Sequence, residues 1–283
     1  GGETENTKHV LVPAADSDIK KVISFYQHHP VPNMDIKSVK EIYNPALNRT
    51  FELRLVLLQQ RTGKATFAPR WKKQKDNQTA SREHIHQLWE KLTAPFQDDD
   101  FPDVKLLPAW HGTHPAVLPV LFETGYANLA STHSGYFGKG IYGSFEAEYA
   151  HRVYSKGALI LNWISAFSAY PTVLSDMSVL QGKGNYENYD AHFVPVIPAT
   201  GKHSTSVSVY YPCQEDQRHQ YIEVVVFDAQ QCLPRYLVEL QPSLPQAPPS
   251  LLLNMPLSSE HHASMKENES TTESRKPDSV IEL

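Results

Sequence analysis

The stretch GYFGKGIYGS, residues 135–144, places four glycines and three aromatic side chains within ten positions. The order of its glycines fits neither the G-x-G-x-x-G of dinucleotide-binding turns nor the G-x-x-x-x-G-K-[ST] of phosphate loops. Glycine next to an aromatic side chain instead lets a backbone approach a flat ring closely. Taken alone, the stretch favours a tight turn at the edge of a core, so its neighbours decide the interpretation.

Two segments with chemistry of their own flank this stretch. Upstream lies AWHGTHP, which contains His111, Gly112 and Thr113. Downstream, EAEYAHRVYS has the composition of a helix and contains Tyr149 and Tyr154. A histidine, a glycine, a threonine and further aromatic rings therefore surround the glycine-rich stretch in the sequence.

Farther along the chain, Glu223 interrupts the apolar run YIEVVVFD. A carboxylate in a buried strand costs free energy unless it is paired or used for chemistry. The alternative is that Glu223 faces solvent at the end of the strand. Glu223 is thus a candidate functional residue in a predicted strand.

The remaining periodicity predicts a mixed set of elements. Residues 16–28 and 79–91 show helical spacing with capping residues in front. Alternating or β-branched runs predict strands over residues 51–60, 158–167, 189–197, 221–228 and 234–240. Residues 36–45 are predicted as a short helix or turn before Pro45. The long loops around residues 176–188 and 200–220 are candidates for substrate selection.

Composition limits the class of protein. The chain has 283 residues and a net charge of -5, which gives no general attraction to nucleic acid or anionic membranes. It has no apolar run of about 18 residues and no apolar signal region at the N-terminus, which predicts no membrane span and a cytoplasmic protein. Only Cys213 and Cys232 are present, so neither a disulfide framework nor a four-ligand zinc site is expected. Residues 242–283 are proline-rich and then polar, which predicts a disordered tail.

Together the three motifs resemble the catalytic domain of the poly(ADP-ribose) polymerases, which are diphtheria-toxin-like ADP-ribosyltransferases of the H-Y-E type. That family has His-Gly-Thr/Ser, then F-G-x-G-[IV]-Y, then a late-strand Glu or a replacement. Here these are HGT at 111–113, FGKGIY at 137–142 and Glu223. The resemblance covers residues 36–241, with residues 1–35 as an N-terminal helical extension. It implies an α+β fold of two packed, mainly antiparallel sheets with flanking helices.

The resemblance also implies that NAD is a substrate rather than a hydride carrier. Breaking the nicotinamide–ribose bond creates an oxocarbenium-like centre, as in glycoside hydrolysis. Glu223 matches the carboxylate that stabilises this centre, and His111 matches a residue that binds the adenosine ribose. Tyr142 matches the ring that stacks on nicotinamide, with Tyr154 as the second face and Tyr149 as the alternative for it.

Further NAD contacts follow from the same resemblance. Gly112 would offer its backbone amide and carbonyl to the carboxamide, and Thr113 would bind the adenosine ribose. Tyr136 is an additional candidate for the NAD site. Eight residues after the stacking tyrosine, where the family usually has a serine, this chain has Ala150. One hydrogen bond to nicotinamide is then missing, which is worth about 1 kcal/mol, unless a group such as His151 replaces it.

The expected activity is mono-ADP-ribosylation of a protein. Glu223 also permits poly(ADP-ribose) synthesis. An NAD glycohydrolase and a non-catalytic module that binds NAD or ADP-ribose are the competing hypotheses for the function. No metal and no DNA-dependent activation are expected. The tail resembles C-terminal type IV secretion signals, which would imply delivery into a host cell, and an ordinary disordered tail is the competing interpretation.

Overall fold

A computed structural model describes residues 9–68, 71–74, 76–126, 135–198, 210–213 and 218–244. The chain divides into two units, Gly1–Ser243 and Leu244–Leu283, and every element named below belongs to the first. The predicted tail beyond residue 244 and most of the loop at 200–220 lie outside the described residues.

The described part of the chain contains both β-strands and α-helices. The strands are β1 (Val10–Pro13), β2 (Met34–Tyr43), β3 (Lys105–Thr113), β4 (Ile141–Ser144), β5 (Ala158–Ala166), β6 (Ala169–Pro171), β7 (Ala191–Pro198), β8 (Tyr210–Pro212), β9 (Tyr221–Val226) and β10 (Cys232–Pro242). The α-helices are α1 (Asp16–His28), α2 (Pro45–Gln59), α3 (Thr79–Thr93), α4 (Leu118–Thr124), α5 (Ala147–Val153) and α6 (Met177–Leu180). The protein is therefore a mixed α/β structure.

Among the described residues the strands form one large, mostly antiparallel sheet. Its order is β1-β2-β10-β5-β3-β4-β9-β7-β6, with β8 paired to β7. Of the strand pairs in the described part of the chain, only β6 and β7 run parallel. A single residue pair, Trp110 opposite Ser144, joins β3 to β4, whereas β3 and β5 pair over nine positions. The sheet thus consists of two well-paired halves with a narrow seam between them, whereas the family resemblance implies two packed sheets.

Two sequence predictions near the N-terminus are wrong. Of residues 51–60, predicted as a strand, 51–59 belong to helix α2 and Gln60 is its C-cap. The Asn44 side chain caps this helix by accepting hydrogen bonds from the amides of Ala46 and Leu47, and Pro45 occupies its first turn. Residues 36–45, predicted as a helix or turn, lie mainly in β2, which pairs with β1 on one edge and β10 on the other.

Other predicted elements are confirmed. Helix α1 has the predicted bounds, α3 begins at the predicted residue, and α5 lies within the predicted helical segment. The strands predicted around residues 158–167, 189–197, 221–228 and 234–240 correspond to β5, β7, β9 and β10. Residues 9–35 contribute β1 and α1 to the same compact unit as the sheet, and the predicted domain boundary at residue 35 stays a prediction.

Helices cover both faces of the sheet. On one face, α3 and α4 pack against inward-facing strand residues such as Leu107 and Phe193. On the other face, α1 and α5 pack around Trp110 and Leu159. A third, aromatic-rich cluster on the β4–β9–β7 half contains Tyr149 and other rings. This third cluster positions the candidate site.

Candidate active site

Three neighbouring strands carry the three residues of the predicted catalytic set. His111 lies on β3, Tyr142 on β4 and Glu223 on β9, and these strands are consecutive in the sheet. Ser144 of β4 pairs with Trp110 of β3 on one side and with Glu223 on the other. The three residues therefore lie on adjacent strands at the seam between the two halves of the sheet.

Glu223 is buried among tyrosines. Successive β-strand residues point to opposite faces, so Ile222 and Val224 enter the main core while Glu223 shares the other face with the aromatic cluster. Its Oε1 accepts hydrogen bonds from the hydroxyls of Tyr149 and, at 2.5 Å, Tyr154. The solvent-facing alternative is thus wrong, since Glu223 is 2% exposed.

The second oxygen of this carboxyl group is the unusual feature. Oε2 of Glu223 is buried and has no hydrogen-bond partner in the described part of the chain. Burial raises the pKa of Glu223 to about 7, although the two tyrosine hydroxyls oppose that shift. An unfilled acceptor inside an aromatic cluster suits a ligand hydroxyl and can stabilise a nearby positive charge.

Tyr142 is fixed by the glycine-rich stretch in front of it. Its hydroxyl accepts from the Phe137 amide at 3.0 Å and donates to the Gly138 carbonyl at 2.8 Å. Gly138 has φ of +115°, and a Cβ there would lie 2.7 Å from the Phe227 ring, so the turn requires glycine. The stretch therefore folds back onto the Tyr142 hydroxyl and leaves the half-buried ring held in one orientation.

His111 is held beside Tyr142 in a neutral state. One of its ring nitrogens, Nδ1, lies 2.8 Å from the Tyr142 carbonyl oxygen, which can only accept, so Nδ1 carries the proton. Burial lowers the pKa of His111. The ring also packs edge-on against Tyr126 at 5.1 Å. Its Nε2 is consequently a hydrogen-bond acceptor, which suits a sugar hydroxyl.

The two predicted stacking rings lie close together. The Tyr142 and Tyr154 ring centroids are 6.1 Å apart with a 48° angle between the planes. A flat ring held between two parallel faces needs them about 7 Å apart, because each stacked pair is separated by about 3.5 Å. Tyr149 is 1% exposed and packs against Tyr154 and Tyr221. The geometry suits stacking on one face better than a parallel sandwich.

Ala150 faces away from this aromatic cluster. On α5, Tyr149 and Val153 face the cluster, whereas Ala147 and Ala150 pack with Trp110 on the opposite side. The Ala150 methyl group is fully buried there. The residue at the family's serine position therefore contributes to the core rather than to the surface around Tyr142.

The other residues predicted to contact NAD differ in how deeply they are buried. A Cβ on Gly112 would be 2.4 Å from the Ser155 amide nitrogen, so this strand passes directly against the end of α5. Thr113 is half-buried, and its carbonyl accepts from the Lys156 amide. Tyr136 is 55% exposed. The NAD-binding roles assigned to these residues stay predictions.

Two buried groups near the site were missed by the sequence analysis. Glu146, directly before α5, accepts from the Ser144 hydroxyl at 2.8 Å and the Ile222 amide at 2.9 Å, and burial raises its pKa to about 7. His192 links the Phe137 carbonyl to the Tyr186 amide, and burial lowers its pKa to about 4. An acid four residues after Tyr142 was visible in the sequence, whereas the His192 contacts depend on pairing between distant segments.

Comparisons with known proteins add no family assignment. No protein-family model and no curated protein sequence matches this chain. Within the described residues, no cluster of three His, Cys, Asp or Glu side chains could hold a metal ion. No helix in that part of the chain is long and apolar enough to cross a bilayer. Cys213 and Cys232 are both buried and are not joined by a disulfide.

Proposed function

We propose that this protein is an ADP-ribosyltransferase of the poly(ADP-ribose) polymerase type that modifies a protein with single ADP-ribose units from NAD. The observation that carries the proposal is the buried, unpartnered Oε2 of Glu223 on the strand beside Tyr142. His111, on the next strand, adds a neutral ring whose Nε2 can accept from a ribose hydroxyl. The cytoplasm, which holds both NAD and protein acceptors, is the proposed place of action.

The reaction assigns a separate task to each residue. The bond between ribose C1′ and the nicotinamide nitrogen breaks, and nicotinamide leaves as a neutral molecule with the bonding electron pair. Positive charge then develops at C1′, and the ionised Glu223 stabilises it while accepting from the 2′-hydroxyl. The acceptor side chain bonds to C1′ and releases its proton to solvent. Tyr142 supplies one face for the nicotinamide ring.

We propose the ADP-ribosyltransferase fold on the same basis. Its two packed sheets would correspond to the halves on either side of the seam, namely β1-β2-β10-β5-β3 and β4-β9-β7-β6. The single pair Trp110–Ser144 supports this division, because a sheet held by one pair bends sharply more easily than one held by nine.

The test follows both products of the reaction. The protein is incubated with NAD labelled in the adenylate phosphate and with NAD labelled in nicotinamide, in the presence of a cell lysate as acceptor. The proposal expects nicotinamide release together with adenylate label on protein in single units. Glu223→Gln should reduce both by at least about 100-fold, since it removes the charge that stabilises the transition state.

The matched control is Glu146→Gln, which replaces another buried carboxyl whose oxygen already has two protein donors. It should retain transfer within about threefold, and thermal unfolding of both variants must show that they are folded. Nicotinamide release without labelled protein would identify an NAD glycohydrolase, and long labelled chains would identify a polymerase. Wild-type protein that binds NAD in calorimetry but releases no nicotinamide would refute the enzymatic proposal.

A further inference from the structure

A cavity lies away from the candidate active site, where the end of helix α2 meets the end of strand β9. Its volume is about 320 Å³, within the range of small-molecule pockets. None of His111, Tyr142 and Glu223 lines it. Its lining includes Arg54, Arg61, Asn188, Asp190, Phe227 and Asp228.

The carboxylates that line this cavity already have donors in the protein. Asp190 accepts from two backbone amides and from Arg61 Nη1 at 3.0 Å. Asp228 accepts from the Gln230 amide, and its other oxygen lies 3.4 Å from Arg54 Nη1. Each carboxylate therefore balances one guanidinium charge and already accepts from protein donors.

The donors, in contrast, are in excess. Arg54 Nε and Asn188 Nδ2 are both buried, and neither has a hydrogen-bond partner in the described residues. Buried polar atoms in native proteins are nearly always partnered, so two unmatched donors on residues that line the same cavity point to a missing acceptor nearby. Asn188 also has φ of 68°, a left-handed conformation that asparagine tolerates better than most residues.

The charges and the lining of the cavity restrict which chemical group could be that acceptor. Burial is the largest cause of the lowered pKa of Arg61, and Asp190 opposes it, while repulsion from the positive charge of Arg54 adds to it. An anion between them would relieve this repulsion. The cavity also has aromatic lining, because Phe67, Tyr189 and Phe227 contribute their rings. Arg61 already lies over the Phe67 ring at 4.8 Å.

We propose that this cavity binds a phosphate monoester attached to a flat ring system, such as a nucleoside monophosphate. A phosphate group presents three acceptor oxygens, enough for Arg54 Nε, Asn188 Nδ2 and a further contact to Arg61. The attached base packs against the aromatic lining. This site is separate from the proposed NAD site and does not depend on ADP-ribosyltransferase activity.

Calorimetry with three probes tests the proposal on the full chain. The probes are adenosine monophosphate, ribose 5-phosphate and inorganic phosphate. Adenosine monophosphate should bind at least about tenfold more tightly than the other two, because only it places a ring on the aromatic lining. Equal affinity for all three would limit the site to the phosphate and overturn the ring-binding part, and no binding of any probe would overturn the site as a whole.

Two variants with matched controls locate the binding. Arg54→Gln should weaken adenosine monophosphate binding at least about tenfold, whereas Arg49→Gln, an exposed arginine on the same helix, should leave it unchanged. Asn188→Gly removes the side-chain amide, and glycine adopts the left-handed backbone conformation without strain. This variant should weaken adenosine monophosphate binding about fivefold. Asn33→Gly changes another asparagine with positive φ, outside the cavity, and should have no effect.

A fifth variant separates this cavity from the proposed NAD site. His111→Ala should leave adenosine monophosphate binding intact if the cavity is the binding site. Binding that is lost in His111→Ala but retained in Arg54→Gln would place the nucleotide at the proposed NAD site and overturn the cavity proposal. The labelled-NAD experiment with Glu223→Gln reports on the proposed enzyme independently of either result.

Discussion

At the scale of single residues, the charge of Glu223 should control the rate. Burial places its pKa near 7, and only the ionised form can stabilise a cationic centre. Because the fold raises this pKa, the carboxyl group is protonated below pH 7 and becomes ionised above it. We expect nicotinamide release per enzyme to rise about tenfold per pH unit up to about pH 7 and then level off, measured as initial rates between pH 5.5 and 8.5.

The control for this pH profile must separate two acids with the same pKa. Glu146 is also buried with a pKa raised to about 7, but its oxygen accepts from the Ile222 amide rather than remaining unfilled. The Glu146→Gln variant should keep the wild-type midpoint. A flat profile in Glu146→Gln would assign the titration to Glu146 and contradict the role given to Glu223.

Gly112 is a second residue whose surroundings predict a measurable effect, in this case on the free energy of unfolding. An added Cβ would meet three backbone atoms, the Ser155 nitrogen at 2.4 Å, the Ala150 oxygen at 2.5 Å and the Ser155 Cα at 2.7 Å. Backbone atoms cannot rotate away as a flexible side chain can, so strand β3 and the end of α5 must separate. We expect Gly112→Ala to lower the free energy of unfolding by about 3 kcal/mol, measured by urea denaturation.

Gly184→Ala is the matched control for that substitution. No atom lies within 4 Å of a Cβ built at Gly184, and its φ is not in the left-handed region. Its free energy of unfolding should stay within about 0.5 kcal/mol of wild type. An equal loss of unfolding free energy in the two variants would show that contact with the Ser155 and Ala150 backbone does not cause the destabilisation at Gly112.

At the scale of elements, helix α2 shows why the strand predicted over residues 51–60 is wrong. The segment FELRLVLL alternates apolar and polar residues at first, which imitates a strand, and then becomes continuously apolar. In the structure its buried residues are Phe51, Leu55 and Leu58, which have helical spacing. Leu53 and Leu57 are about half exposed, and these exposed leucines hid the helical period.

A pair of leucine substitutions distinguishes the helix from the predicted strand. In a strand, Leu53 and Leu55 would share one face and be equally costly to truncate. In α2, Leu55 is 6% exposed whereas Leu53 is 57% exposed. We expect Leu55→Ala to lower the free energy of unfolding by about 3 kcal/mol and Leu53→Ala by less than about 0.5 kcal/mol, measured by urea denaturation. Similar losses in both would favour the strand.

The register of α5 shows a second limit of reading elements from sequence. Counting residues from Tyr142 predicts that Ala150 leaves a hydrogen bond missing beside nicotinamide. A helix turns about 100° per residue, so Tyr149 and Ala150 face different directions, and it is Tyr149 that contacts Glu223. Residue counting can identify a position in a motif, but the rotation of a short helix depends on which face the core buries.

At the scale of the whole molecule, the candidate site depends on pairings between distant segments. His111, Tyr142 and Glu223 could be named from the sequence because each lies in a short, recognisable pattern. Their arrangement on adjacent strands, the orphaned Oε2 and the cavity beside Arg54 could not, since each requires segments far apart in the chain to meet. The order of strands in a sheet is set by long-range packing that local periodicity does not encode.

The compact unit ends at Ser243, directly after β10, and this boundary predicts how truncation affects the stability of the chain. Ser243, the last residue of the unit, donates its amide to the Asn33 carbonyl at 2.9 Å, which fastens the end of the sheet. Residues 245–283 have a composition that cannot form a core of its own. A chain ending at Ser243 should therefore unfold within about 2 °C of the full-length midpoint in a thermal melt. A chain ending at Glu239, which removes the β10 residues paired with Met34, Asp35 and Ile36, should melt at least about 4 °C lower. If the first truncation lowers the midpoint as much as the second, the residues after Ser243 contribute to the fold and the boundary is misplaced.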